Sequence, residues 1–191
     1  MCPYIPKHIK DNTVLAEDVC LYSGLPSANS YKIKEEKKLK KEVIIFDLDG
    51  TLALIDKRRD LARNDKGKLD WKVFHNPDNV KLDEPNWPVI ESARNFKKAG
   101  YIIFIFSGRS DVTEAKTKEW LSKFQIPYDK LVMRPHETLS FIPDEKLKMQ
   151  MLDDSPAAVD QIFCVFDDRQ KVVDMWRSLG LTCLQVAPGN F

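Results

Sequence analysis

The stretch Val43-Ile44-Ile45-Phe46-Asp47-Leu48-Asp49-Gly50-Thr51-Leu52 decides the fold. Four consecutive apolar residues, three of them β-branched, fit a strand buried on both faces, as in a parallel sheet, rather than an alternating surface strand. Two carboxylates two residues apart then follow at its carboxyl end. An Asp-x-Asp-Gly segment after a strand is by itself a common turn, since Asp and Gly favour turns for backbone reasons. Its weight therefore depends on what the other strands carry.

Working outward, further apolar runs occur at Tyr101–Phe106, Leu131–Met133, Ile162–Phe166 and Thr182–Ala187. Helical periods fall between them. Val89, Ala93 and Phe96 share a face, with Lys97 and Lys98 in the last turn and Gly100 as a stop; Thr117, Trp120, Leu121 and Phe124 repeat at i, i+3, i+4, i+7; Val172, Trp176 and Leu179 precede Gly180. The order βαβαβαβαβ predicts an α/β fold with a Rossmann-like, doubly wound parallel sheet. Ligands of such sheets sit beyond the carboxyl ends of the strands. Two more runs end in reactive side chains there: Ser107-Gly108-Arg109 after the second, and Asp167-Asp168-Arg169 after the fourth. Three such strand ends in order leave little room for the turn reading.

Phosphate-ester cleavage calls for these residue types. A carboxylate attacking a phosphate dianion meets like-charge repulsion, so a divalent cation has to bridge the two. Mg²⁺ prefers oxygen ligands and keeps several waters. Asp47, the backbone carbonyl of Asp49 and an acid of the Asp167/Asp168 pair can supply the protein share. The phosphate oxygens need donors: the Ser107 hydroxyl, the Gly108 amide, Arg109 and a lysine. The leaving alkoxide needs a proton, and Asp49 can be aimed at it.

Asp-Leu-Asp-Gly-Thr-Leu, strand-terminal Ser107, a downstream lysine and Asp167-Asp168 resemble the four motifs of the haloacid dehalogenase superfamily. Over about residues 42–191 the chain is similar to the 3′-phosphatase domain of T-even bacteriophage polynucleotide kinase. That likeness rests on Phe46 to Ala53, on Ser107-Gly108-Arg109, and on the carboxyl end from Asp167 to Phe191. The resemblance implies an aspartyl-phosphate mechanism with Asp47 as nucleophile and Asp49 as acid–base, and Mg²⁺ as cofactor. It aligns Arg58 and Arg109 with the family's essential arginines. It also aligns Asp144 and Lys148 with an acid–lysine pair four residues apart, with Lys146 as the rival lysine; Thr51 and Asp144 are supporting groups. Which of Asp167 and Asp168 ligates the metal directly stays open. So does Arg58, which in Asp56-Lys57-Arg58-Arg59-Asp60 fits a solvated turn equally well.

About 35 residues separate Leu52 from the helix near Pro88, and about ten separate Met133 from Asp144. Neither insertion is long enough for a large cap with its own core, and an open cleft suits a polymer end. The first insertion interleaves Arg58, Arg59, Arg63, Lys66, Lys68 and Lys72 with Trp71 and Phe74. That mixture can track a strand and stack a base. The alternative is a flap whose Trp71, Phe74 and Trp87 pack onto the domain.

The 191 residues are 43% hydrophobic and 31% charged, with a formal net charge of +1. Any polyanion site is therefore local, because the whole molecule carries no field to attract one. No apolar run reaches the length of a membrane span, and Met1 to Pro6 lacks the features of a secretory signal. Cys2, Cys20, Cys164 and Cys183 show no metal-type spacing and read as reduced thiols of a cytoplasmic protein. His8, His75 and His136 lack the ligand-pair spacing of a metal site. Residues 1–41 form an N-terminal extension, with three prolines and the basic run Lys32–Lys41, ahead of a phosphatase domain at 42–191. The run is a solvated face or a contact to a phosphate backbone.

No Gly-x-x-x-x-Gly-Lys-Ser/Thr loop occurs, so a P-loop kinase half is absent from this sequence. The reading is a phage-encoded phosphomonoesterase acting on nucleic-acid 3′ ends in repair. The runner-up is a nucleotidase for free 3′- or 5′-nucleotides, and the third reading is a catalytically idle binding protein. DNA or RNA preference, base preference and oligomeric state are not legible.

Overall fold

The structure, a computed structural model, describes residues 42–138 and 142–189. The extension, with its lysine run, Cys2, Cys20 and His8, lies outside the described residues.

β1 (Val43–Phe46) is buried at every position. A short hairpin strand, β2 (Ala53–Leu54), follows it and opens the insertion. Next come helices α1 (Asp56–Leu61) and α2 (Trp71–Phe74), a 3₁₀ turn at Pro77–Leu82, and β3 (Glu84–Pro85), which pairs antiparallel with β2. The rest alternates regularly: α3 (Trp87–Lys98), β4 (Ile102–Ser110), α4 (Glu114–Lys123), β5 (Lys130–Arg134), α5 (Asp144–Asp153), β6 (Ile162–Asp167), α6 (Gln170–Ser178) and β7 (Cys183–Gln185). The main sheet runs β5-β4-β1-β6-β7 and is parallel throughout. Each of the five expected strands is present, and the insertion adds only a two-stranded hairpin with short helices.

The alternation of side chains along β1 explains the two layers. Ile44 and Phe46 join the cluster containing Ile90 and Ala93 of α3 and Trp120 and Leu121 of α4. Val43 and Ile45 join the opposite one, with Leu147 and Met151 of α5 and Val172, Val173 and Trp176 of α6. Helices thus cover both faces of the sheet. The chain leaves β1 toward β4 and β5 on one side, then crosses to β6 and β7 on the other. β1 is therefore the switch point, where its two neighbours' crossovers diverge and open a crevice beyond Phe46.

The second strand is longer than its apolar run. It continues through Ser107-Gly108-Arg109 to Ser110, with a register break: Ser107 faces Met133, yet Ser110 faces Arg134. Two residues are bulged out of the ladder, and a bulge re-aims the side chains it carries. Cys164 and Cys183 are buried and free; burial pushes their thiols up to about 11 and about 12.

Candidate active site

Three strand ends converge at the switch point. Asp47 follows β1, Asp167 ends β6 and Asp168 follows it; one carboxylate oxygen from each lies within 4.8 Å of the others. All three residues are buried. Lys148 comes up from α5, donating its Nζ to Asp47 Oδ1 at 2.6 Å and to Asp167 Oδ2 at 2.7 Å. Lys146, two residues earlier, is exposed, so the helix presents Lys148 to the cluster. Asp167 is fully engaged: Oδ1 accepts from the backbone N–H of Asp168 and of Arg169, and Oδ2 also accepts from the Trp176 indole at 3.3 Å. Asp168 Oδ1 accepts from the Thr51 hydroxyl at 3.3 Å, while its buried Oδ2 has no partner among the described residues.

Three carboxylates against one ammonium leave two negative charges in a buried space. Burial pushes the Asp47 carboxyl well above its usual range, and the charges of Asp167 and Asp168 add to this against the pull of Lys148. Asp168 is pushed up to about 6, mainly by burial and then by Asp167. Such a nest, all oxygen donors with one orphaned oxygen, fits a hard divalent cation. Gly50 makes the close approach possible. Its φ is +93°, and a Cβ there would lie 2.7 Å from the carboxyl carbon of Asp168.

A second cluster lies beside the first. Asp49 Oδ1 accepts from Arg58 Nη2 at 2.8 Å, from Arg109 Nε at 3.0 Å and from Arg109 Nη2. Asp83 bridges the same arginines, taking Arg58 Nε at 2.8 Å and Arg109 Nη2 at 2.7 Å. Arg109 Nη1 donates to Thr117 of α4 at 3.1 Å. Both guanidinium groups have no exposed side-chain surface. Burial favours the neutral form of Asp49, but Arg109 and Arg58 outweigh it and hold the carboxyl well below its usual range. Two carboxylates and two guanidinium groups balance, so this cluster is self-neutral.

Arg109 was expected to donate to a phosphate; it lines the cavity, and its guanidinium donates to Asp49, Asp83 and Thr117. The bulge after Ser107 turns it inward, where an unpaired guanidinium would be costly. Arg58, for which a solvated turn was an equal reading, is instead buried on Asp49. Asp83 was missed; it sits in Leu82-Asp83-Glu84-Pro85, which looks like an ordinary acidic loop. The usable signal was charge balance, since two arginines on one aspartate require a second acid.

Ser107 is buried, and its Oγ accepts from the Arg109 backbone N–H at 3.1 Å. Gly108 lines the cavity and packs on Asp144: a Cβ there would meet Asp144 Oδ1 at 3.0 Å. Asp144 shares its oxygens between Arg134 and Arg169. Arg134, also missed, donates to the carbonyls of Gly108 at 3.1 Å and Ile142 at 2.8 Å. Its position directly after the apolar run of β5 was the available clue. Asp47, Asp49, Gly108, Arg109, Lys148 and the Asp167/Asp168 pair line one cavity of about 1140 Å³, together with Arg59, Arg63, Trp71, Lys72 and His75 of the insertion, whereas Ser107, Arg58 and Asp83 lie behind its wall. Phe74 is buried and Trp87, though half exposed, packs edge-on against Phe124 at 6.0 Å, whereas Trp71 is exposed at the cavity, so the flap reading holds for Phe74 and Trp87.

A family model for the polynucleotide kinase PNKP phosphatase domain matches residues 41–191. The chain belongs to this family. It is 33% identical over 139 residues to a protein of Autographa californica nuclear polyhedrosis virus named as a bifunctional polynucleotide kinase/RNA ligase, covering 71% of this chain and 18% of that protein. Two solved structures of a Pnkp1/Rnl/Hen1 complex, one described as an RNA repair complex, resemble it with TM-scores of 0.63 and 0.64. They share 30% and 28% identity, covering 78% and 86% of this chain but 44% and 52% of theirs. The chain thus spans about half or less of these relatives. A phosphatase structure from Clostridium difficile shares the fold at 14% identity, with a TM-score of 0.57 over 78% of this chain and 86% of that one. The family's phosphatase fold is the one described above, and the carboxylate nest lies within the matched residues.

Proposed function

We propose that the chain removes terminal 3′-phosphates from nucleic acid in end repair. The observation that carries this reading is the family match, which spans every residue of the two charge clusters. Asp47, Asp167 and Asp168 would hold Mg²⁺, with the Asp49 carbonyl as a further oxygen; the ion supplies charge neutralisation where carboxylate and phosphate approach.

Asp47 attacks phosphorus, the ester P–O bond breaks, and the 3′-oxygen leaves with a proton from Asp49. Water then attacks the aspartyl-phosphate, Asp49 takes its proton, and inorganic phosphate departs. Three N–H donors converge on Oδ1 of Asp49, which leaves Oδ2 for proton transfer. The arginines fix that oxygen's direction, and the charge of the incoming phosphate works against their pull on its pKa. Lys148 steadies Asp47 and is near enough to the nest to share the phosphate's charge, while Ser107 and the Gly108 amide offer neutral donors. Arg58 and Arg109 act through Asp49 as positioning residues.

A second reading, a nucleotidase for free 3′- or 5′-nucleotides, is favoured by the cavity's volume, which admits a whole nucleotide. A panel of 3′-phosphorylated DNA and RNA oligonucleotides and free nucleotides, compared by kcat/KM, separates the two. The first reading expects the oligonucleotides to lead, and a lead for free nucleotides overturns it. No turnover of any of them, with Mg²⁺ bound, would support a binding protein instead.

A further inference from the structure

We propose that Trp71, stacked on His75 at the rim of the cavity, is the platform for the base of the substrate's terminal nucleotide. This rests on the reading of the site as one for nucleic-acid ends, and adds the subsite that grips the nucleoside.

Trp71 is 61% exposed, yet two aromatic neighbours hold its ring. Its ring lies 5.7 Å from that of His75 at an interplanar angle of 19°, and 5.7 Å from Phe74 edge-on at 85°. The short helix beneath it is tied at both ends. The Asp70 side chain accepts from the N–H groups of Lys72 and Val73, and the Val73 carbonyl accepts from Asn79 Nδ2 at 2.8 Å. Arg58 locks the assembly to the chemistry. Its guanidinium lies 4.3 Å above the Phe74 ring and donates to the Phe74 carbonyl at 3.3 Å, while its Nη2 holds Asp49. A rigid run of contacts therefore leads from the acid–base to an indole.

An exposed tryptophan held this firmly offers an apolar face beside a phosphate site, which suits a flat aromatic group. Burial draws the pKa of His75 down to about 4, against Asp49 but with Arg58, so the imidazole below the indole is neutral at pH 7. The platform thus has no charge of its own, while Arg63 and Lys72 on the same wall meet anionic phosphates. Stacking of this kind accepts any base, because each has a π-face.

The test uses two 3′-phosphorylated oligonucleotides, identical except that one ends in an abasic residue. The wild type should prefer the base-bearing end by about 10-fold in kcat/KM, the scale of one stacked base. Trp71→Ala should bring that preference close to unity, chiefly through KM, and Trp71→Phe should keep most of it. If Trp71 only supports the fold, Trp71→Ala slows both substrates alike and leaves the preference intact, which overturns the platform. A wild type without preference does the same. If the wild type cleaves neither oligonucleotide yet hydrolyses a simple alkyl phosphate, the 3′-phosphatase reading fails and the platform with it. Binding gives an independent readout: 2-aminopurine at the phosphorylated 3′ end should be quenched on binding Asp47→Asn protein. Quenching that persists in Asp47→Asn/Trp71→Ala protein counts against the proposal.

Discussion

Asp47 and Asp49 lie two residues apart in the chain but in opposite electrostatic settings. Asp47 shares a nest with two other carboxylates and one lysine, whereas Asp49 is held by two arginines. Asp47→Asn removes the nucleophile and one anionic ligand together, so kcat should fall by at least ~10³ while the fold persists. Purified Asp47→Asn protein with near wild-type turnover would end the assignment. His75 allows a prediction about stability. Its folded pKa of about 4 lies below its ordinary 6.5. Between these values the unfolded chain binds a proton that the folded chain refuses, so His75 makes stability fall as pH drops from about 6.5 toward 4. Above 6.5 its contribution is fully retained. Urea unfolding at pH 7 and pH 5 should show a smaller loss for His75→Gln than for the wild type. Equal losses in both proteins would show that the imidazole titrates freely.

At the scale of elements, the site depends on how α5, the β4 bulge and the insertion meet. Asp144 and Lys148 are four apart on α5 and share a face, so one helix serves both the Gly108 segment and the carboxylate nest. The insertion contributes Asp83 at the foot of β3, where it pairs Arg58 of α1 with Arg109 of β4. Trp120 of α4 also donates its indole N–H to the Asp83 carbonyl at 3.0 Å. Removing the acid strands two buried guanidinium groups on a single carboxylate. Asp83→Ala should therefore destabilise by about 3–5 kcal/mol, as breaking a buried pair does. It should also lower kcat, because Asp49 loses its fixed direction. Unfolding and turnover measured on the same preparation test both effects, and a loss under ~1 kcal/mol would mean that the arginines relax into solvent.

For the whole molecule, net charge says little, because +1 overall conceals a buried nest with two negative charges in excess. Chelation should abolish activity and Mg²⁺ should restore it. The physical signature is independent of catalysis: at about 100-fold above its Kd, Mg²⁺ should raise Tm by roughly 5–10 °C, since it binds only the folded nest. Asp168→Asn, which alters the carboxylate with the orphaned oxygen, should remove most of that rise. An unchanged Tm on adding Mg²⁺ to the wild type would show that the nest is not a cation site. Among the described residues no helix is long and apolar enough to cross a membrane.

The sequence by itself determined the parallel sheet and its three reactive ends. Uninterrupted apolar runs such as Val43–Phe46 and Ile162–Phe166 can be satisfied only by burial on both faces, and carboxylates placed directly after them have to emerge at the switch point. Lys148 over Lys146 was not decidable there, because helical phase depends on where α5 packs. The inward turn of Arg109 was hidden for a related reason, since a bulge is a property of two paired strands. Asp83 belongs to the site only because β3 pairs with β2 and carries a distant loop back to Arg58. Trp71 likewise reads as possible core in sequence, and only packing decided that Phe74 is buried and Trp71 is left facing the cavity. Local pattern fixes what a strand or helix is, whereas the partner of a buried charge is set by segments far apart in the chain.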